Sequence, residues 1–255
     1  LNRYALLVQY DGTLFNGWQF QDKGRSIQVE FETAIKILTK ENVRVIASGR
    51  TDSGVHALGQ VVHFDLSQSL PLQRLCMGLN GILPHELGVK NAYKVDFSFH
   101  SRFSAVQREY LYIIYNYPLR TPFMRYKAMW INYPIDAGYI KEAASKLVGE
   151  HDFASFCKKI SAKEGTIRKI DSIEVTEDRA VIKLRFKANA FLHNMIRIIV
   201  GTILQMQREG RDPEYITEIL NGKDRSLSGF TAPPYGLYLN RVTYDPALNF
   251  YESAF

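Results

Sequence analysis

Apolar, β-branched and aromatic residues crowd into four short runs of the first hundred positions, 4–10, 43–47, 60–66 and 89–95, each bounded by polar or turn residues and each read as a strand. Between them, Ile27, Phe31, Ile35 and Leu38 share one helical face over 27–40, with Ser26 as a plausible N-cap, and 72–80 reads as a second helix. The remaining chain repeats that order with longer connections. It gives a strand at 110–116, a helix at 140–148, a hairpin of 170–176 and 181–186 about Glu177-Asp178-Arg179, a helix at 191–207 and a strand at 237–243. A short strand at 129–131 and a helix at 214–220 are extras. Two βαββαβ units in tandem predict an α+β protein of two ferredoxin-like halves, 1–104 and 105–255. Their sheets are expected to join into one mainly antiparallel sheet with a central cleft. The repeat is one of element order, not of residues.

Two connections stand out against this pattern. Ala47-Ser48-Gly49-Arg50-Thr51-Asp52-Ser53-Gly54-Val55-His56-Ala57 sets a carboxylate and a guanidinium in a turn-rich loop between two strands, where a rigid sheet can hold a reactive group. Asp52 is a candidate nucleophile, ionised at neutral pH, with Arg50 two residues away; Thr, Asp, Ser and Gly are equally the residues of an ordinary turn. The second connection, 11–25, is long and holds Gly12, Gly17 and Gly24 with Phe15, Trp18 and Phe20. Its aromatics either stack on bases, or Trp18 and Phe20 fold back as a lid on the core, and the second reading is the expected one.

Composition narrows the class. With 255 residues, 46% hydrophobic and 23% charged, the chain fits a globular protein and not a disordered or fibrous one. Cys76 and Cys157 stand far apart without a C-x-x-C pattern, which argues against a disulfide framework or zinc site and fits a reducing cytoplasm. No apolar stretch reaches the roughly 18 residues of a membrane span, and the first ten residues lack a secretion signal's basic start and cleavage site. The net charge of +6 is uneven: 10 basic against 9 acidic residues in 1–100, and 22 against 17 in 101–255. A basic surplus favours an anionic partner such as RNA or DNA.

Other constellations are weighed against plainer readings. Thr51-Asp52-Ser53-Gly54 has the D-[ST]-G core of aspartic proteases, but no second copy supplies the paired carboxylate their chemistry needs. The six histidines show no metal-ligand spacing, and Gly12 to Gly17 has P-loop spacing with Trp18-Gln19 in place of Lys-[ST]. Arg108, Tyr110 and Tyr112 share one strand face, which either presents a phenol and a cation to a pocket or is an ordinary amphipathic face. Arg197 sits in an otherwise apolar helix and needs an anionic partner unless its head reaches water; Asp52 is the first partner to test. The basic run 157–169 either tracks phosphates or is a solvated loop.

Together these segments closely resemble the tRNA pseudouridine synthase A family. The likeness runs through Tyr10-Asp11-Gly12-Thr13, Gly17-Trp18-Gln19, the 48–57 block, Gly59-Gln60-Val61, His63-Phe64, and Arg102-Phe103-Ser104-Ala105 with Arg108 and Tyr110. It continues through 191–197, Ala232-Pro233 and Gly236-Leu237-Tyr238-Leu239. The resemblance implies isomerisation of uridine to pseudouridine at positions 38 to 40 of the tRNA anticodon stem-loop, by a cytoplasmic homodimer without a cofactor. It also implies roles: Asp52 as nucleophile, Tyr110 as the ring packed on the target base and a candidate proton acceptor, and Arg197 as the cation paired with Asp52. Arg50 would displace the target nucleotide, and Leu239 would line the base pocket. A non-catalytic RNA-binding module on the same fold is the alternative.

Overall fold

The computed structural model of the chain describes residues 1–21, 24–158, 165–244 and 250. Among the described residues the fold is mixed α+β, with ten strands, five α-helices and mainly antiparallel strand pairing. The chain divides into two compact units, residues 1–106 with 238–255, and residues 107–237.

In the first unit, β1 (Asn2–Tyr10) is flanked by β4 (Leu87–Val95) and β3 (His56–Leu66), and the two-residue β2 (Ile46–Ala47) pairs with β3. All these pairings are antiparallel, and the order β4-β1-β3-β2 is that of the expected ferredoxin-like half. The helices are α1 (Ile27–Thr39) and α2 (Leu72–Ile82). Ile27, Phe31 and Ile35 are fully buried, as their shared helical face predicts, and Tyr4 stacks on Phe64. Strand alternation sends Tyr93 to the opposite face, where it meets a second aromatic layer of Phe99, Tyr244 and Phe250. Covered on both sides, β1 buries consecutive residues from Tyr4 to Val8 rather than every other one.

The second unit contains β5 (Gln107–Asn116), β6 (Met129–Ile131), α3 (Ala137–Ser145), β7 (Gly149–Asp152), β8 (Ile167–Asp178), β9 (Val181–Ala188), α4 (Met195–Arg208) and α5 (Tyr215–Gly222). Its strands run β5-β9-β8-β7, with β6 parallel to β5. Tyr112 opposite Leu184 and Ile114 opposite Ile182 make one buried face. The other face carries an ion-pair network in which Glu109 and Glu174 both meet Arg185 and Lys187. A sheet buried on one face alone produces this apolar and charged alternation.

Besides shifted ends, as in β2, reduced from the expected 43–47, and α3, expected at 140–148, three elements depart from the sequence reading. The helix expected from residue 191 begins at Met195, because Asn194 adopts a left-handed conformation (φ 64°) that cannot continue a helix. Strand β7 was not foreseen, since Gly149-Glu150-His151-Asp152 lacks β-branched residues. The closing strand β10 (Leu237–Thr243), read from the sequence as the last strand of the second half, runs parallel to β3, with Tyr238 opposite His56 and Leu239 opposite Ala57. Of the basic run 157–169, residues 159–164 lie outside the described residues.

Candidate active site

Asp52 sits in the connection between β2 and β3 of the first unit, half-buried, with Arg50 exposed. The loop is fixed along its length. At its entrance, Ser48 N–H donates to Val61 O (2.8 Å), the Ser48 hydroxyl donates to Gln60 Oε1, and Gln60 Nε2 donates to Gly49 O (2.6 Å). In the middle, the buried Tyr10 and Thr51 hydroxyls bond at 2.8 Å, and Trp18 N–H donates to Thr51 O (3.0 Å). At the exit, Val55 N–H donates to Asp52 O (3.1 Å), while Phe15 O accepts from Gly54 N–H and the Ser53 hydroxyl. Burial pushes the Tyr10 phenol up to about 12, so it remains a neutral hydrogen-bonding group at physiological pH.

Much of this clamp comes from the long connection 11–25, whose own sequence explains the fit. A Cβ on Gly12 would stand 2.0 Å from Val55 O, and one on Gly17 (φ +97°) 2.6 Å from Thr51 O, so only glycine lets the two loops touch. Trp18 is buried, as the fold-back reading expects, but Phe20, expected to fold back with it, is exposed; Phe15 is buried instead. Beneath them, Gly12 N–H points at Nδ1 of the buried His56 (3.0 Å), with Asp11 Oδ1 3.1 Å from the same nitrogen. His56 also stacks on Tyr238, at 4.6 Å between centroids. Leu239, the next residue of β10, is fully buried.

Tyr110 and Arg197 belong to the second unit. Tyr110 lies on β5 opposite Phe186 and meets the edge of Phe191 (5.2 Å, 83°). Arg108 and Tyr112 follow the expected alternation but go to different uses. Arg108 Nη1 donates to Asn189 O (2.8 Å), whereas Tyr112 is core, donating to Pro233 O (2.9 Å), with a phenol pushed far up by burial. Arg197 lies in the first turn of α4. Its Nε donates to Ala232 O (2.7 Å) and its Nη1 to Asn194 Oδ1 (2.7 Å), while Ala232 N–H donates back to Arg197 O (3.0 Å). Gly201 makes room for this segment, since a Cβ there would stand 1.9 Å from Phe230 O. The sequence reading had Tyr10, Thr51, Asn194 and Ala232 inside its matching blocks but gave none of them a role. The signals present were a glycine inside an apolar helix and glycines bracketing a long loop.

The first unit thus holds a half-buried carboxylate on a braced loop, and the second holds a half-buried phenol and a guanidinium oriented by Ala232 and Asn194. Among the described residues, no group of three or more His, Cys, Asp or Glu is placed to hold a metal ion. The family model described as tRNA pseudouridine synthase matches residues 6–104 and 143–245. The tRNA pseudouridine synthase A of Bacillus subtilis (strain 168) is 42% identical over 95% of this chain and 99% of its own length. That of Thermoanaerobacter sp. (strain X514) is 41% identical over 96% and 100%. A chain of a solved Cbf5-Nop10-Gar1 complex aligns with 93% of this chain and 58% of its own at 14% identity, with a TM-score of 0.38. The chain belongs to the tRNA pseudouridine synthase family, whose members are isomerases.

Proposed function

We propose that the chain isomerises uridine to pseudouridine at positions 38, 39 and 40 of the tRNA anticodon stem-loop, with Asp52 as its nucleophile. The observation that carries this reading is the bracing of the loop around Asp52: hydrogen bonds before, at and after it fix the backbone that carries a half-buried carboxylate, more than a turn cap needs. The reaction breaks the bond from ribose C1′ to base N1, turns the base, joins C1′ to C5 and releases the C5 proton. It involves no redox change and no external group, so a carboxylate, a phenol and a cation are a sufficient inventory.

The target base has to leave its stack, at a cost of a few kcal/mol, before any side chain reaches it. Arg50, exposed beside the nucleophile, is assigned to displace the nucleotide, and the buried Leu239 to line the pocket. Tyr110, half-buried against Phe191, packs on the base and accepts a proton; Arg197 pairs with the carboxylate. In this assignment the half 1–104 brings the nucleophile and the half 105–255 the ring and the cation. The reading includes a homodimer in the cytoplasm, a setting compatible with two buried free thiols, Cys76 and Cys157. Among the described residues no helix is long and apolar enough to cross a membrane.

Unmodified tRNA carrying tritium at uridine C5 tests the chemistry, because joining C1′ to C5 sends that label into water. The wild-type protein is expected to release it. Asp52→Ala should lower the rate by about 10³-fold or more while binding tRNA at wild-type affinity. Tritium release by Asp52→Ala at the wild-type rate would remove Asp52 from the reaction, and a wild-type protein that binds but releases none would favour the RNA-binding alternative.

A further inference from the structure

Phe103 presents one of the most exposed apolar rings of the described chain, 77% accessible, yet it stands on a rigid turn. Single exposed apolar side chains are common and need no explanation. This one differs in how it is held. The His100 Nδ1 atom accepts from both Arg102 N–H and Phe103 N–H (3.2 Å each), and His100 and Ser104 are tied by two further bonds, Ser104 N–H to His100 O (2.9 Å) and His100 N–H to Ser104 Oγ (3.0 Å). Between them, Ser101 donates its hydroxyl to Ile46 O (2.8 Å), and its carbonyl accepts from the Tyr244 hydroxyl (2.7 Å). The His100 ring lies 4.4 Å from the Phe103 ring at 30°, and the Arg102 guanidinium stands 5.7 Å from the Phe103 centroid.

A second ring of the same stretch repeats the arrangement. Phe97, 51% accessible, has the Arg3 guanidinium 5.3 Å from its centroid, and Arg3 is itself fixed by Asp65 and by the carbonyls of Phe97 and Phe99. Rings turned to solvent on immobile backbone, each with a guanidinium beside it, are the elements of a platform for unpaired nucleobases. Stacking supplies affinity for any base, and the cation adds attraction to the π-face and to phosphate. The immobility matters because the ring is ordered before the nucleic acid arrives.

We propose that Phe103, with Arg102 and the neighbouring Arg3–Phe97 pair, is a stacking site for a tRNA nucleobase other than the target uridine. The separation follows from the register. Ile46, to which the turn is tied, pairs with His63. His56 next to the Asp52 loop lies seven residues along the same strand, about 23 Å at 3.3 Å per residue. The inference rests on the proposed function in two respects: tRNA is the substrate, and the Asp52 loop marks the place of the target uridine.

The test measures binding of unmodified tRNA in the Asp52→Ala background, where no turnover intervenes. Phe103→Ala is expected to weaken binding by between about fivefold and a hundredfold, Phe103→Leu nearly as much, and Phe103→Trp by less than about twofold. A tRNA series with single abasic sites should contain one substitution, away from the target uridine, that weakens binding to the Phe103 protein and has no further effect on Phe103→Ala. Three results would overturn the proposal: a Leu variant that binds like Phe, a loss that no abasic site reproduces, or a loss that follows a change in sedimentation and so marks contact between two copies of the chain. Because binding is read without turnover, a protein that forms no pseudouridine but passes this test would refute the proposed reaction and leave the stacking site standing.

Discussion

His63 is buried in the first unit, where Ser101 N–H donates to its Nδ1 (3.2 Å) and the His100 ring lies 4.7 Å away. Burial, then the positive charge that His100 and Arg3 bring near, holds its imidazole down to about 4 from the usual 6.5. The folded chain thus keeps this ring neutral where the unfolded chain would protonate it. Between about pH 4 and 6.5 the unfolded state binds the extra proton, so stability rises with pH across that window and is fully present above it. As pH falls through the window, about 3 kcal/mol should be lost from this group. Urea unfolding midpoints from pH 7 to 4.5 check this, and His63→Gln should flatten the slope; an unchanged slope in that variant would place the pH sensitivity elsewhere. His100 is shifted the same way, chiefly by burial, which keeps its Nδ1 an acceptor for the turn that carries Phe103. The sequence shows both histidines and their lack of metal spacing. It does not show that one backbone N–H would point at His63 and two at His100, because that depends on where 99–104 folds back.

The helix α4 and the segment 229–232 act as one device for aiming Arg197. The helix reads clearly in the sequence, since Met195, Ile198, Ile199 and Thr202 share a buried stripe and only its start is misplaced. Its partner segment has no periodicity, and its close approach is set by Gly201. Gly201→Ala puts a methyl 1.9 Å from Phe230 O, so helix and segment have to separate. Overpacking of this kind costs about 1–3 kcal/mol, and it moves the Ala232 carbonyl off the guanidinium. The expected outcome is a lowered melting temperature together with a lower kcat on tRNA. A variant with wild-type kcat would mean that the Ala232 contact does not aim Arg197. On the other side, α1, α2 and the four strands of the ferredoxin-like half were legible because each carries its own apolar period. Strand β2 shrank from the expected 43–47 to two residues, since Val43, Arg44 and Val45 lie outside its pairing with β3.

At the scale of the whole chain, the proposed chemistry draws on both compact units: Asp52, Arg50 and Leu239 fall in one, Tyr110 and Arg197 in the other. Local sequence singled out Asp52, Arg197 and Tyr110 but left a bland alternative beside each: a turn for Asp52, a snorkelling side chain for Arg197, an amphipathic strand for Tyr110. Leu239 came from the family resemblance alone. The order of blocks along the chain raised them together, and the family match over 6–104 and 143–245 covers Asp52, Arg50, Arg197 and Leu239 but not Tyr110. What stayed hidden was the support, because Tyr10 to Thr51, Gln60 to Gly49 and Gly12 to His56 are contacts between segments that no single stretch of sequence contains. The most direct measurement of the central claim is a map of pseudouridine at single-nucleotide resolution in unmodified tRNA incubated with the wild-type protein and, separately, with Asp52→Ala. The account predicts pseudouridine at positions 38 to 40 with the wild type and none with the variant. A blank map from folded wild-type protein, or the same map from both proteins, would contradict it.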